Sequence, residues 1–342
     1  MSYRGLVNVG NTCFMNSALQ VLAHTSELNK LLDSELWKRK LNNNNRLEAI
    51  LLIEWNNLRQ QLLAQETNTP IIPTKFVSIF HKVSQKNNMD IFLGYQQNDV
   101  TEFIIFLIDC FHKALSREVS ITIEARIINE KDKLALKCYN RIKEMYENDF
   151  SEIWSLFYGT HVSYLINNET NKIINMVPEP FFMLNLPIPH DNKSPTLIDC
   201  FDMYVDYELL DEENKVYDET VKENVCAKKR ILFWSLPNVL IIDIKRYNHN
   251  NLTKKNQKLI DFPLNNLDLS NYVIGYNSNS YIYDLYGVCN HSGSLEGGHY
   301  TSFVKIEDDR WLHFNDSHIT EVKDVNHIIS PKAYCFFYKK RV

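Results

Sequence analysis

Apolar residues recur every three or four positions through the first third of the chain and then switch to alternation. In "NSALQVLAHTSELNKLL" (16–32) the spacing of Leu19, Leu22, Ala23 and Leu28 predicts one helix. "RLEAILLIEWNNLRQQLL" (46–63) predicts a second, and a third starts near Pro73, since proline is tolerated in a first turn. "QNDVTEFIIFLIDCFHKAL" (97–115) predicts a fourth, and the "NNNN" at 42–45 reads as an interhelical loop to which the pattern assigns no packing role. A charged helical stretch covers about 131–157. Beyond it come strand-sized runs rich in β-branched and aromatic residues, flanked by turn formers: "THVSYLI", "KIINMV", "FFMLNLPI", "RILFWSLPNVLIIDIKRY", "SYIYDLYGVCNH", "HYTSFVKI", "RWLHFND" and "AYCFFYKK". Helices first and strands afterwards define an α+β protein. Segments 211–225 and 248–259 are polar and read as mobile loops or hairpin tips.

Composition narrows the classes. With 44% hydrophobic and 23% charged residues among 342, the chain has the make-up of a folded globular protein. A net charge of −5 without a long basic run gives nucleic acid or an anionic membrane no support as a partner. The apolar runs 103–111 and 239–244 are far shorter than a bilayer span, and "MSYRGLVN" lacks the apolar region of a secretory signal. An intracellular protein of cytoplasm or nucleus is expected. Seven scattered cysteines with no CxxC argue against a disulfide framework or a four-cysteine zinc site. Cys110 and Cys335 sit in apolar runs and read as packed thiols.

Cys13 is different, because it closes the polar loop "NVGNTC" where a helix begins. Free N–H groups and the positive end of a helix dipole favour a thiolate there. Gly10 permits close backbone approach, and Asn8 and Asn11 are amides able to hydrogen-bond an oxyanion. A nucleophilic thiol needs a base, and His299 in "EGGHYTSF" follows two of the nine glycines on a loop that enters a strand. Asn315 and Asp316, in "RWLHFND", follow an alternating strand, and either residue type suffices as the third group that fixes the imidazole tautomer where the three loops meet in space, which spacing does not show. The order Cys, His, Asn/Asp is that of a papain-like thiol hydrolase. The competing readings are a packed thiol and a histidine at a hairpin turn.

"GLVNVGNTCFMNSALQ" closely resembles the cysteine box of the ubiquitin-specific proteases, and "YGVCNHSGSLEGGHYTSFVK" with "WLHFND" resembles their histidine box. Weaker blocks follow in family order: "GYQQNDVTEFIIFLID" (94–109), "FFMLNLPIP", "LPNVLIIDIKRY", "FPLNNLDLS" and "AYCFFY". The resemblance implies a single catalytic domain over 1–342 with a papain-like fold likened to a hand. A helical thumb would occupy about 1–125, fingers and part of the palm 150–235, and the palm 236–342. It implies Cys13 as nucleophile, His299 as general base, Asn315 as third member with Asp316 as contributor or substitute, and Asn8 as oxyanion donor. Gln97, Asp99 and Glu102 would help hold the arginine-bearing tail of ubiquitin, with His291 and Tyr300 along its channel. A core tyrosine and a buried structural histidine are the alternatives for the last two.

The implied reaction is thiol-mediated hydrolysis of the isopeptide or peptide bond after ubiquitin's terminal glycine, through a thioester. Ubiquitin and ubiquitinated proteins are the implied partners of a monomeric enzyme that needs no cofactor. A catalytically inactive ubiquitin-binding module and a hydrolase for another ubiquitin-like modifier are the alternatives. The sequence departs from the family at the fingertips, where two CxxC pairs commonly hold zinc. Here "SYLINNETNKI" and "ENKVYDETVKEN" put Asn167 and Thr170 near the first pair and no cysteine near the second. Metal-free fingers held by strand pairing alone are expected.

Overall fold

The computed structural model describes residues 3–64, 67–94, 96–210, 212–247, 255–294 and 297–341. Its helical part comprises α1 (Cys13–Ala23), α2 (Ser26–Asp33), α3 (Arg46–Leu63), α4 (Thr74–Lys86) and α5 (Val100–Leu115), and α6 (Glu130–Tyr146) and α7 (Glu152–Phe157) lead into the strands. Pro73 stands at the N-cap of α4, and the Asp99 carboxylate caps α5 by accepting from the N–H of Thr101. The helix expected over 16–32 is two helices. Thr25 interrupts it with an extended backbone, and its hydroxyl contacts Val21 O at 3.2 Å and the Tyr286 hydroxyl at 2.9 Å, so a palm contact outweighs helical periodicity. The asparagine run also has a packing role: the amides of Asn42 and Asn45 donate to the carbonyls of Ser116 and Lys113, satisfying the C-terminal end of α5.

Among the described residues three sheets follow. In the first, β2 (Ile173–Phe181), β1 (Gly159–Asn167), β7 (Ala227–Ser235) and β4 (Glu208–Leu209) lie side by side in that order. Pro178 and Pro180 fall in β2, an edge strand where missing N–H donors are tolerated. The second is a two-stranded hairpin, β5 (Val216–Asp218) with β6 (Glu223–Val225), inside the segment 211–225 read as a mobile loop or hairpin tip. The large sheet has the order β13 (His318–Glu321), β12 (Trp311–Asn315), β11 (Gly298–Lys305), β10 (Ile282–Gly293), β14 (Ala333–Lys340), β8 (Val239–Ile244), β3 (Met183–Leu186), and β9 (Leu267–Asp268) pairs with β10. Only β3 and β8 run parallel among these pairs. Residues 211 and 248–254, in the two segments read as mobile loops or hairpin tips, and residues 295–296, before His299, lie outside the described residues.

Alternation along the large sheet divides two cores. Val239 and Ile241 of β8, with Phe337 of β14 and Cys289 of β10, meet α1, α3 and α5 through Leu19, Leu22, Trp55, Phe103 and Leu107. Leu240, Ile242, Ile244, Phe336 and Tyr338 face the other way, toward α8 (Leu197–Val205), a helix the periodicity did not announce. Cys110 and Cys335 are both fully buried, and all seven cysteines are unpaired. No helix among the described residues is long and apolar enough to cross a membrane.

Helix α1 lies so close to β10 that a Cβ on Gly287 would stand 2.3 Å from Val21 Cγ1. Val21 is β-branched and stiff, so Gly287→Ala is expected to cost about 1–3 kcal/mol by overpacking. Urea denaturation should show a lower midpoint with an unchanged m-value; an unshifted midpoint would mean that the seam yields freely.

The fingertips hold more than strand pairing. At the end of β1 the Asn167 amide donates to the Asp218 carboxylate of β5 at 3.0 Å, and both residues are buried. The expectation of a tip held by strand ladders alone is therefore corrected: a buried polar side-chain bond joins the hairpin to the neighbouring sheet. Among the described residues no group of three or more His, Cys, Asp or Glu is placed to hold a metal ion.

Candidate active site

The Cys13 loop is shaped by Asn8. Its Oδ1 accepts from the N–H groups of Gly10 (3.2 Å) and Thr12 (3.0 Å), which curls the chain into the first turn of α1. Gly10 at φ 118° and Asn11 at φ 55° take the left-handed conformations this turn requires, which glycine and asparagine adopt at least cost. With its oxygen so engaged, the amide nitrogen of Asn8 points toward the β12–β13 turn and donates to Asp316 Oδ2 at 3.1 Å.

Asp316 is a hub. Its second oxygen accepts from the Asn16 amide at 2.8 Å, one helical turn beyond Cys13, and its backbone carbonyl accepts from Leu6 N–H at 3.0 Å. Gly5 permits this approach, because a Cβ there would lie 2.5 Å from the Ser317 carbonyl oxygen. Asp316 itself adopts φ 50°. The carboxylate thus ties the cysteine loop and α1 to the end of β12.

Asn315 precedes it and serves the opposite side. Its Oδ1 lies 2.7 Å from His299 Nε2, which leaves Nδ1 as the ring nitrogen not engaged by Asn315. A proton on Nε2, donated to Asn315, presents a basic Nδ1 lone pair. The two adjacent candidates for a third member therefore have separate partners: Asn315 orients the imidazole and Asp316 holds the cysteine loop.

Cys13 begins α1 but is buried, with 2% of its surface exposed. Backbone N–H groups of Tyr300, the residue after His299, and of Phe14 and Cys13 itself lie on the side that favours the thiolate. Helix α1 thus packs its N-terminal turn against β11 where the histidine stands. The helix-mouth argument favoured a thiolate, yet burial pushes the thiol up; the Tyr300 N–H opposes this, and the nearby Asp316 charge adds to it. Desolvation outweighs the helix end. The free protein is therefore expected to be alkylated by iodoacetamide at a rate that keeps rising beyond pH 9, the thiolate appearing only above the ordinary thiol range. A plateau reached by pH 7 would contradict this.

Around this centre the remaining candidates take unequal places. Gln97 Oε1 accepts from the N–H of Gly298, pinning the histidine loop to the start of α5. Asp99 spends one oxygen on the Thr101 N–H at 2.7 Å and the other on the Tyr334 hydroxyl at 2.6 Å, which makes it a brace between α5 and the palm. Glu102 is exposed in the first turn of α5 and forms no ion pair among the described residues, and partial desolvation followed by the Asp99 charge raises its pKa. Of the three thumb residues it is the one free to meet a cation.

His291 and Tyr300 are both buried, and their rings stack with centroids 4.5 Å apart. Lys255 Nζ lies 2.6 Å from the His291 carbonyl and 3.1 Å from its Nδ1, so Nδ1 is the acceptor. Burial, then the Lys255 charge, lowers His291 to about 4, and it is neutral at pH 7. Burial, then the charge of Arg246, brings Lys255 down to about 8. Sequence reasoning overlooked Asn16, Tyr334 and Lys255 as members of this region. Asn16 was readable as a polar residue on the buried face of an apolar helix, whereas Lys255 and Tyr334 carried no local signal.

A model of the ubiquitin carboxyl-terminal hydrolase family matches residues 4–338. Human ubiquitin carboxyl-terminal hydrolase 2 is 30% identical over 342 residues, covering 98% of this chain and 54% of that protein. The chicken protein of the same description is 32% identical over 344 residues, covering 98% and 92%. The chain thus spans about half the length of several curated relatives that it matches. The solved structure described as the SAGA Ubp8/Sgf11/Sus1/Sgf73 DUB module bound to ubiquitin aldehyde superposes with a TM-score of 0.75 at 23% identity, over 99% of this chain and 70% of that one. This likeness shows the fold, a papain-like α+β architecture of the ubiquitin-specific protease type.

Proposed function

Because the chain belongs to the ubiquitin carboxyl-terminal hydrolase family, we propose that it is a cysteine-type deubiquitinase cleaving the bond after ubiquitin's C-terminal glycine, with Cys13, His299 and Asn315 as its reacting and orienting groups. The observation that carries this reading is the His299–Asn315 hydrogen bond of 2.7 Å at the start of β11, the strand against which α1, the helix that begins with Cys13, packs.

In the proposed reaction His299 Nδ1 takes the proton of the Cys13 thiol and sulfur attacks the glycine carbonyl carbon. The oxyanion receives hydrogen bonds from the N–H of Cys13 at the helix start and from the Asn8 amide. One N–H of that amide is spent on Asp316, and the other remains to serve the oxyanion. The lysine amine leaves with the proton from His299, water adds to the thioester with His299 again as base, and the thiol is restored. Asp316 acts as a positioning residue for Asn8. Glu102 provides the carboxylate for a basic tail, consistent with the negative net charge. The partners proposed are ubiquitin and ubiquitinated proteins, met by a monomer inside the cell.

The test is a ubiquitin whose C-terminus carries an electrophile. Wild-type protein is expected to form a covalent adduct at Cys13, seen as one added ubiquitin mass by intact mass spectrometry and located by peptide mapping. Binding without adduct would favour an inactive ubiquitin-binding module, and an adduct only with a different modifier's probe would reassign the substrate.

A further inference from the structure

Two turns at the end of the fingers repeat one design. In the turn after β1, Asn167 Oδ1 accepts from the N–H groups of Glu169 and Thr170, both at 3.0 Å; its carbonyl accepts from Asn171 N–H at 2.9 Å, and Asn171 sits at φ 55°. In the turn after β5, Asp218 Oδ1 accepts from Thr220 N–H at 2.9 Å; its carbonyl accepts from Lys222 N–H at 2.7 Å, and Lys222 sits at φ 60°. Each turn is opened by an acid or its amide and closed four residues later by a left-handed residue. A lysine tolerates that conformation only at some cost, so the turn is imposed by its bonds.

The opening residues face each other. The Asn167 amide donates to Asp218 Oδ2 at 3.0 Å, and the two residues are only 2% and 3% exposed in a region otherwise open to solvent. The β5–β6 hairpin pairs with no third strand among the described residues, and the chain passes directly from β6 through Cys226 into β7. An isolated hairpin is marginal in water. Something beyond its own ladder must hold it, and the bonded pair is placed to do so. Hydrogen bonds from Asn167 and Thr220 also hold the Asp218 carboxyl below its usual range, so it is ionised at neutral pH and its bond to the amide is charge-assisted.

We infer that Asn167 and Asp218 form a metal-free clasp that positions the fingertip hairpin to receive the globular body of the substrate. The exposed apolar side chains beside the clasp, Tyr217 and Val221 on the hairpin and Ile173 at the start of β2, are the surfaces it keeps in place. The substrate part of the inference rests on the deubiquitinase reading, whereas the clasp does not. Asn167 and Asp218 are positioning residues and touch no reacting atom.

The experiment combines hydrogen exchange with steady-state kinetics on a ubiquitin C-terminal fluorogenic amide, for wild type, Asn167→Ala, Asp218→Ala and the double variant. In each variant amide protection over 167–173 and 214–226 should fall at least about tenfold while α1, α5 and the large sheet are unchanged. The double variant should be no worse than either single one, because both break the same bond. KM should rise about tenfold with kcat nearly constant, and Asp218→Asn, which keeps an acceptor, should lie between wild type and Asp218→Ala. Unchanged protection would overturn the clasp. Lost protection with an unchanged KM would overturn its role in substrate positioning. A wild type without activity would sink the deubiquitinase reading and the substrate role together, and the exchange data would still decide the clasp.

Discussion

Replacing Cys13 by alanine should lower turnover of a ubiquitin amide by about 10⁶-fold, the scale on which a covalent mechanism collapses when its nucleophile is lost. The sulfur is the atom that attacks in the proposed reaction, and a water in its place would have to approach a site packed against β11. The cavity left at a 2% exposed position is small, so the fold should persist and ubiquitin should bind with its affinity changed by less than about threefold. Calorimetric titration of the variant with ubiquitin, beside a kinetic assay sensitive to residual activity, checks both halves. Turnover within tenfold of wild type would refute the assignment of the nucleophile.

His299→Ala is the second large effect, expected at about 10⁴-fold in kcat, the upper range for removal of a general acid–base group. The raised thiol pKa makes the dependence steep, since without a base the thiolate must form unaided. What remains should therefore be a rate that climbs continuously with pH as the thiolate forms, a dependence that the wild type, with its base in place, should show far less strongly. Asn315→Ala should give a smaller loss of about 10²-fold with the wild-type pH profile retained, because the 2.7 Å bond aims the ring and carries no proton through the reaction. If the variant lacking His299 had the wild-type profile, another group would be the base.

The region from 311 to 316 shows where sequence reasoning stops. That Asn315 and Asp316 stand near His299 was an expectation carried by the resemblance of "WLHFND" to the histidine box, since spacing alone did not bring the loops together. That they point to different partners was not: strand β12 ends between them, and Asp316 turns into a left-handed conformation that sends its carboxylate to Asn8 and Asn16. The state of the thiol was likewise misread from the helix start alone. Burial depends on what packs over Cys13, and β11 comes from nearly three hundred residues away. Helix α8 is an omission of a different kind. Thr196 and Asp199 form a reciprocal capping box at its start, a local signal present in the sequence and passed over among strand patterns.

By itself the sequence determined the α+β class, the extent of α3, the approximate positions of α5 and the long strands, though not the break between β7 and β8, and the residue types of the candidate chemistry. All of these follow from spacing along the chain, which local geometry converts into faces and turns. Tertiary structure alone decided the break between α1 and α2, the division of labour between Asn315 and Asp316, the height of the Cys13 pKa and the bond between Asn167 and Asp218. Each depends on groups far apart in the chain, whose distance and shielding from water exist only once the helices and sheets have packed.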